Sequence, residues 1–151
     1  MTKKEAIANF LEKVKLAYIE DQQAKGIRAS GQSAQLFRTQ AKETGGTLYG
    51  AAYLHFQKQG RRPGGFPPIE SILQWIKDKG IKAEISNESL AFLIARKIAR
   101  LGTDIYRGKR PALNVDTKIE ELRKELVQNI INSSKKDLID TVVDKLGYVA
   151  K

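Results

Sequence analysis

Over most of this chain apolar residues recur at spacings of three and four, the helical period. Ile7, Phe10, Leu11, Val14, Ala17 and Tyr18 share one face over residues 3 to 25, and Lys and Glu fill the other. Gly26 is a natural stop, and Arg28 to Ser33 read as a loop. From Phe37 the period shortens to two. Phe37, Thr39 and Ala41 alternate with Arg38, Gln40 and Lys42, as a half-buried strand requires. Gly45-Gly46 then suits a tight hairpin turn, because both residues tolerate positive φ. Thr47 to Tyr53 reads as the return strand, and one or two helical turns follow up to Lys58.

The helical period returns at Ile69. Ile69, Ile72, Leu73 and Ile76 fall on one face with Trp75 on its flank, and Gly80 closes the helix. Ser86-Asn87 offers an N-cap for a long helix over about 87 to 107, whose stripe is Leu90, Leu93, Ile94, Ile98, Leu101 and Ile105. Ile72, Ile76, Leu93, Ile94 and Ile98 are expected to form one core with the hairpin. Asp116 can cap a final helix from Thr117. Ile119, Leu122, Leu126 and Ile130 keep its period, and so do Leu138, Ile139, Val142, Val143 and Leu146. Ser133-Ser134 is a candidate interruption, so one helix of about 30 residues or two shorter ones both fit. At 1.5 Å per residue a single helix spans roughly 45 Å, more than a domain of this size needs, and it would pack on another chain. The pattern predicts an α+β fold: a small antiparallel β-sheet, its hairpin around Gly45-Gly46, packed by several α-helices. The length of 151 residues suits a single domain, with a core over about 3–108 and a C-terminal helical extension over about 116–147.

Between the hairpin region and the helix at Ile69 stands Gly60-Arg61-Arg62-Pro63-Gly64-Gly65-Phe66-Pro67-Pro68. Proline fixes its own φ and restricts the residue before it, whereas glycine opens positive φ. This stretch therefore has no regular structure but a defined shape, with Pro68 suited to the first turn of the next helix. It reads either as a surface connection or as a stiff arm that docks on a partner.

The net charge of +10 points to a nucleic acid, an anionic surface or an acidic protein partner, or to well-solvated Lys-rich helices. Arg96, Arg100 and Arg107 fall within about 40° of one another at 100° per residue. Lys109 and Arg110 follow at a break before Pro111. This stripe faces DNA or an acidic neighbour, or else Asp104 answers Arg100 and the face is only solvated. Aromatics do not interleave with these cations as on a single-strand platform. No helix-turn-helix, zinc-finger or RNA-binding signature is present, so reading of bases is not expected.

Catalysis has little to draw on. There is one histidine, His55, and its neighbours Leu54 and Phe56 suggest that it is packed. The carboxylates are scattered along helix faces, and no metal-ligand spacing stands out. Gly60-Arg-Arg-Pro-Gly-Gly lacks the Lys-Ser/Thr of a phosphate loop, and its proline removes an N–H. With no cysteine there is no thiol chemistry and no disulfide framework, which suits a reducing cytosol. No cofactor is expected. The N-terminus lacks a signal-peptide pattern, and no apolar run approaches membrane-spanning length.

Leu48-Tyr49-Gly50-Ala51-Ala52-Tyr53 leads into Phe56-Gln-Lys-Gln-Gly-Arg-Arg-Pro-Gly-Gly-Phe-Pro-Pro-Ile69. Trp75-Ile-Lys-Asp-Lys-Gly-Ile81, Ser89-Leu-Ala-Phe-Leu-Ile-Ala-Arg-Lys-Ile98 and Gly102-Thr103 follow. In this order the chain resembles small virion proteins of tailed bacteriophages, the neck or tail-completion (head–tail joining) group, over roughly residues 30 to 107. The resemblance implies an α+β fold and a ring of identical subunits below the portal, sealing or extending the DNA channel and receiving the tail. Such a protein is made in the bacterial host cytoplasm and ends in the virion. It is not an enzyme, and its contact with packaged DNA is non-specific. In that setting the stretch containing Arg61, Arg62, Pro63, Phe66, Pro67 and Pro68 would be an inter-subunit arm. Some of Arg96, Arg100, Arg107, Lys109 and Arg110 would face the DNA in the lumen or an acidic neighbouring ring, and the ring's partners would be the portal or an adjacent neck ring and tail proteins. The competing readings are a stand-alone basic nucleic-acid-binding module and, more remotely, an enzyme.

Overall fold

The computed structural model describes residues 1–27 and 31–149, with the side chains of residues 148 and 149 excepted. It is α+β, with six helices and one two-stranded antiparallel sheet. The helices are α1 (Lys3–Ala24), α2 (Gln32–Gln35), α3 (Leu54–Gln59), α4 (Ile69–Lys79), α5 (Asn87–Leu101) and α6 (Asp116–Val149), and the strands are β1 (Arg38–Lys42) and β2 (Gly45–Tyr49). The chain forms two compact units. One holds residues 1–17, 38–49 and 115–151, and the other holds 18–37 and 50–114.

In the first unit α1 opens with a reciprocal cap. The Glu5 amide donates to Thr2 Oγ1 at 3.2 Å, and the Thr2 amide donates to Glu5 Oε2 at 2.7 Å. Two orphan N–H groups are satisfied at once. Of the expected face Ile7, Leu11, Val14 and Ala17 are buried and Phe10 and Tyr18 half-buried, and Ala6, outside that face, is buried too. The hairpin corrects the expected turn. Lys42 pairs with Gly45 and Ala41 with Gly46, so the turn residues are Glu43-Thr44 and the return strand is 45–49, not 47–53. Both turn residues have negative φ, so this is not the mirror-image turn a Gly-Gly pair would serve. Gly46 meets a different need. A Cβ there would lie 2.6 Å from Leu11 Cδ1 and 2.9 Å from both Ile7 Cγ2 and Gln40 O. Its missing side chain lets β2 lie directly on α1.

The final helix is a single one of 34 residues, about 51 Å long at 1.5 Å per residue. Ser133-Ser134 does not interrupt it. Leu122 and Leu126 line a cleft with Ala6, Asn9 and Phe10 of α1, and Lys13 pairs with Glu125. Buried Ser133 continues that row two turns on.

In the second unit α4 and α5 share a core of Ile72, Ile76, Ala91 and Ala95, with Ile69, Leu73, Trp75, Ile81, Leu90, Ile94 and Ile98 packed around it. Ala91 and Ala95, one turn apart and fully buried, give α5 a flat face on which α4 seats its isoleucines. Two expectations need correction. Leu93 is exposed, and no hairpin residue belongs to this cluster. The Gly80 and Ile81 amides close α4 onto the Lys77 and Ile76 carbonyls at 3.0 and 3.1 Å, and Ile81 joins the core. Ser86 caps α5 by accepting from the Ser89 amide, as the sequence predicts. The expected loop at 28–33 falls partly outside the described residues. Overlapping its end, Gln32–Gln35 forms a short helix with Ser33 buried. Ser33 Oγ donates to Gln22 Oε1, and Gln22 Nε2 donates to Gln57 Oε1, so this buried polar group is fully partnered.

Candidate interaction surface

The stretch at 60–68 is neither a free arm nor a slack connection: its backbone is fastened to the C-terminal end of α5. Gly64 donates its amide to Ala99 O at 2.8 Å, Thr103 donates to Arg61 O at 3.0 Å, and the Arg61 amide donates to Thr103 Oγ1 at 2.9 Å. Pro67 is buried. Gly102 is the residue that admits this fit. It sits at φ 77, ψ 177, and a Cβ would fall 2.7 Å from both Arg61 O and Tyr106 Cδ1 and 3.2 Å from Pro63 Cδ. Here α5 ends.

That ending corrects the expected helix over 87–107 and with it the cationic stripe. Arg96 and Arg100 lie on α5, one turn apart and exposed. Arg107 lies in the turn beyond and pairs with Asp104, so Asp104 answers Arg107 and not Arg100. The Lys109 and Arg110 amides donate to Asp104 O at 2.8 and 3.3 Å, which coils 104–110 tightly with both side chains exposed. Among the described residues neither Arg96 nor Arg100 forms an ion pair.

On the outer side the held arm presents Phe66, about half exposed, with its ring centroid 5.7 Å from that of equally exposed Phe92 on α5. Arg62 and Pro63 are exposed on the same segment, whereas the Arg61 guanidinium lies 5.7 Å from the centroid of Phe56. On α5, Arg96 and Arg100 continue the row that starts at Phe92, within about 80° at 100° per residue. The result is an aromatic and cationic ridge on a rigid support. The sequence singled out Phe66 as part of an arm but not its pairing with Phe92, because the two are 26 positions apart. The signal was available only as an unexplained apolar residue on the polar side of α5.

His55 is exposed and its ring meets Phe56 edge-on at 5.5 Å, so the expectation of a packed histidine is corrected. Among the described residues no cluster of His, Asp or Glu could hold a metal ion, and no helix is long and apolar enough to cross a membrane. No known protein family, curated protein or solved structure matches the chain.

Proposed function

We propose that this chain is a structural subunit of a tailed-bacteriophage neck, which self-assembles into a ring joining the portal to the tail around the DNA channel. The observation that carries this reading is the arm at 60–68. Its backbone is locked to α5 while Phe66 stands exposed against Phe92 and Arg62 is exposed on the same segment. A preordered aromatic ridge loses little conformational entropy on docking, so it suits a contact repeated around a ring. Head-to-tail rings need two different patches on each chain, and a rigid projecting ridge can supply one. The specific setting, a phage neck, rests on the sequence resemblance over roughly residues 30 to 107.

Native mass measurement of the purified chain, alone and with a portal protein, tests this reading. Phe66→Ala with Arg62→Ala should leave folding intact, since both side chains are exposed, and should abolish the ring. An unchanged oligomer would reduce the arm to an internal brace. The second reading, a basic nucleic-acid-binding module, is favoured by the two unpaired arginines on α5. It requires tight duplex binding by a monomer with a steep salt dependence. Arg96→Gln with Arg100→Gln should then lower the salt slope by about 2, one for each lost phosphate contact.

A further inference from the structure

The C-terminal half of α6 carries a second apolar face. At 100° per residue, Leu122, Leu126 and Ser133 lie within about 40° of one another on the packed side of the helix. Beyond Ser133 that side turns acidic, with Asp137, Asp140 and Asp144 in the same sector. The apolar residues move to the roughly opposite side. Leu138, Ile139, Val142, Val143 and Leu146 are exposed at 65%, 60%, 46%, 59% and 63%. Val127 and Ile131, at 51% and 41%, extend the same stripe backward. These residues are not a continuation of the seam that holds α6 to α1, and no described residue of their own unit covers them.

We infer that this stripe pairs with the same stripe of a second copy of the chain, antiparallel. Two properties of the stripe argue for this occupant. The first is area. The seven residues hold roughly 700 Å² of accessible surface, close to the ~800 Å² per partner of a standard interface. A two-fold pair centred between positions 138 and 139 sets Leu138 against Ile139 of the second copy and Ile131 against Leu146 of the second copy, and so covers the stripe from Ile131 to Leu146. The second is charge. Lys135 lies inside the stripe, and a parallel pair would place it against its own copy within an apolar contact. The antiparallel pair places it beside Val142 of the second copy, where its aliphatic stem covers apolar surface and its ammonium reaches the rim. All three aspartates stay on the outer side, so no carboxylate is buried. This pairing goes beyond the proposed ring contact and uses a different patch. It is isologous, whereas the arm contact is head-to-tail.

The absence of cysteine makes the test direct. The full chain is prepared as Ile131→Cys and as Leu146→Cys, both in a Phe66→Ala background that removes the ring contact. Under mild oxidation the mixed sample should give cross-linked pairs and neither variant alone should, because only the antiparallel register brings positions 131 and 146 together. Sedimentation should show a dimer for Phe66→Ala chains. Leu138→Glu with Val142→Glu should weaken it on the order of a hundredfold, with helical circular dichroism retained because both positions are already exposed. Cross-linking within either single-cysteine sample, or a monomer before the glutamates are introduced, would overturn the inference. A dimer that forms whether or not Phe66 is intact, with no ring in either case, would refute the neck reading and leave this one standing.

Discussion

Gly102→Ala probes whether the arm is truly built into the fold. The native backbone there, φ 77 and ψ 177, lies in a region that is essentially restricted to glycine. Holding alanine in it costs about 1–3 kcal/mol. The new methyl would also sit 2.7 Å from Arg61 O, a backbone atom that cannot rotate aside. Moving that carbonyl breaks its bond from the Thr103 amide, at about 1 kcal/mol. The sum is about 3 kcal/mol, a large share of the ~5–15 kcal/mol that stabilises a typical domain. For a chain of this size it corresponds to a fall in Tm of about 6–12 °C. Thermal unfolding followed by circular dichroism gives the total, and amide hydrogen exchange gives the location. The Gly64 and Thr103 amides, which hold the arm to α5, should lose protection first. Phe66→Ala is the control, since it removes an outward side chain and should leave both amides protected. A Tm within about 2 °C of wild type with those amides unchanged would refute the reasoning and mean that the arm rests on α5 without being fastened to it.

The remaining predictions concern the core, the outer face of α5 and one carboxylate. Ile76→Ala, at a fully buried position between α4 and α5, should cost about 2–5 kcal/mol in urea unfolding. Leu93→Asp on the outer side of α5 should stay within about 0.5 kcal/mol of wild type, and a large loss there would mean that the face is covered. The Lys15 side chain and the Thr39 hydroxyl hold the Glu12 carboxyl below the usual carboxylate range. Because the folded value is lowered, this contribution is present above the unfolded carboxylate pKa and is lost as pH falls through the folded one. Glu12→Gln should therefore flatten the acid side of a stability–pH profile, and an unchanged profile would show that the contact of α1 with Thr39 of β1 is not formed in solution.

Local periodicity was enough to find every helix but the four-residue α2, and to find the hairpin, because each needs only neighbours in sequence to declare its exposed and buried faces. The caps at Ser86 and Gly80 were equally legible, since a cap is satisfied within a few residues. What the sequence left undecided always depended on a residue brought from far away. Gly45-Gly46 looked like a turn, but Gly46 is there to let β2 approach Leu11, 35 positions earlier. The apolar period on α5 ran on to Ile105, yet the helix stops where Gly102 turns to φ 77 and ψ 177, and the arm's Arg61 carbonyl occupies the place its Cβ would take. That single event took Arg107 off the cationic stripe and gave it to Asp104. Leu93 fitted the stripe as well as Ile94 did, but α4 presses on Ala91 and Ala95, and small residues carry almost no signal in a hydrophobic pattern. Phe66 and Phe92 meet only because the backbone between Gly60 and Gly64 is fastened to the end of α5. The second face of α6 was visible as apolar period. Its outward direction became known only when Leu122 and Leu126 were seen against α1, since periodicity defines a face and only tertiary packing says what that face meets.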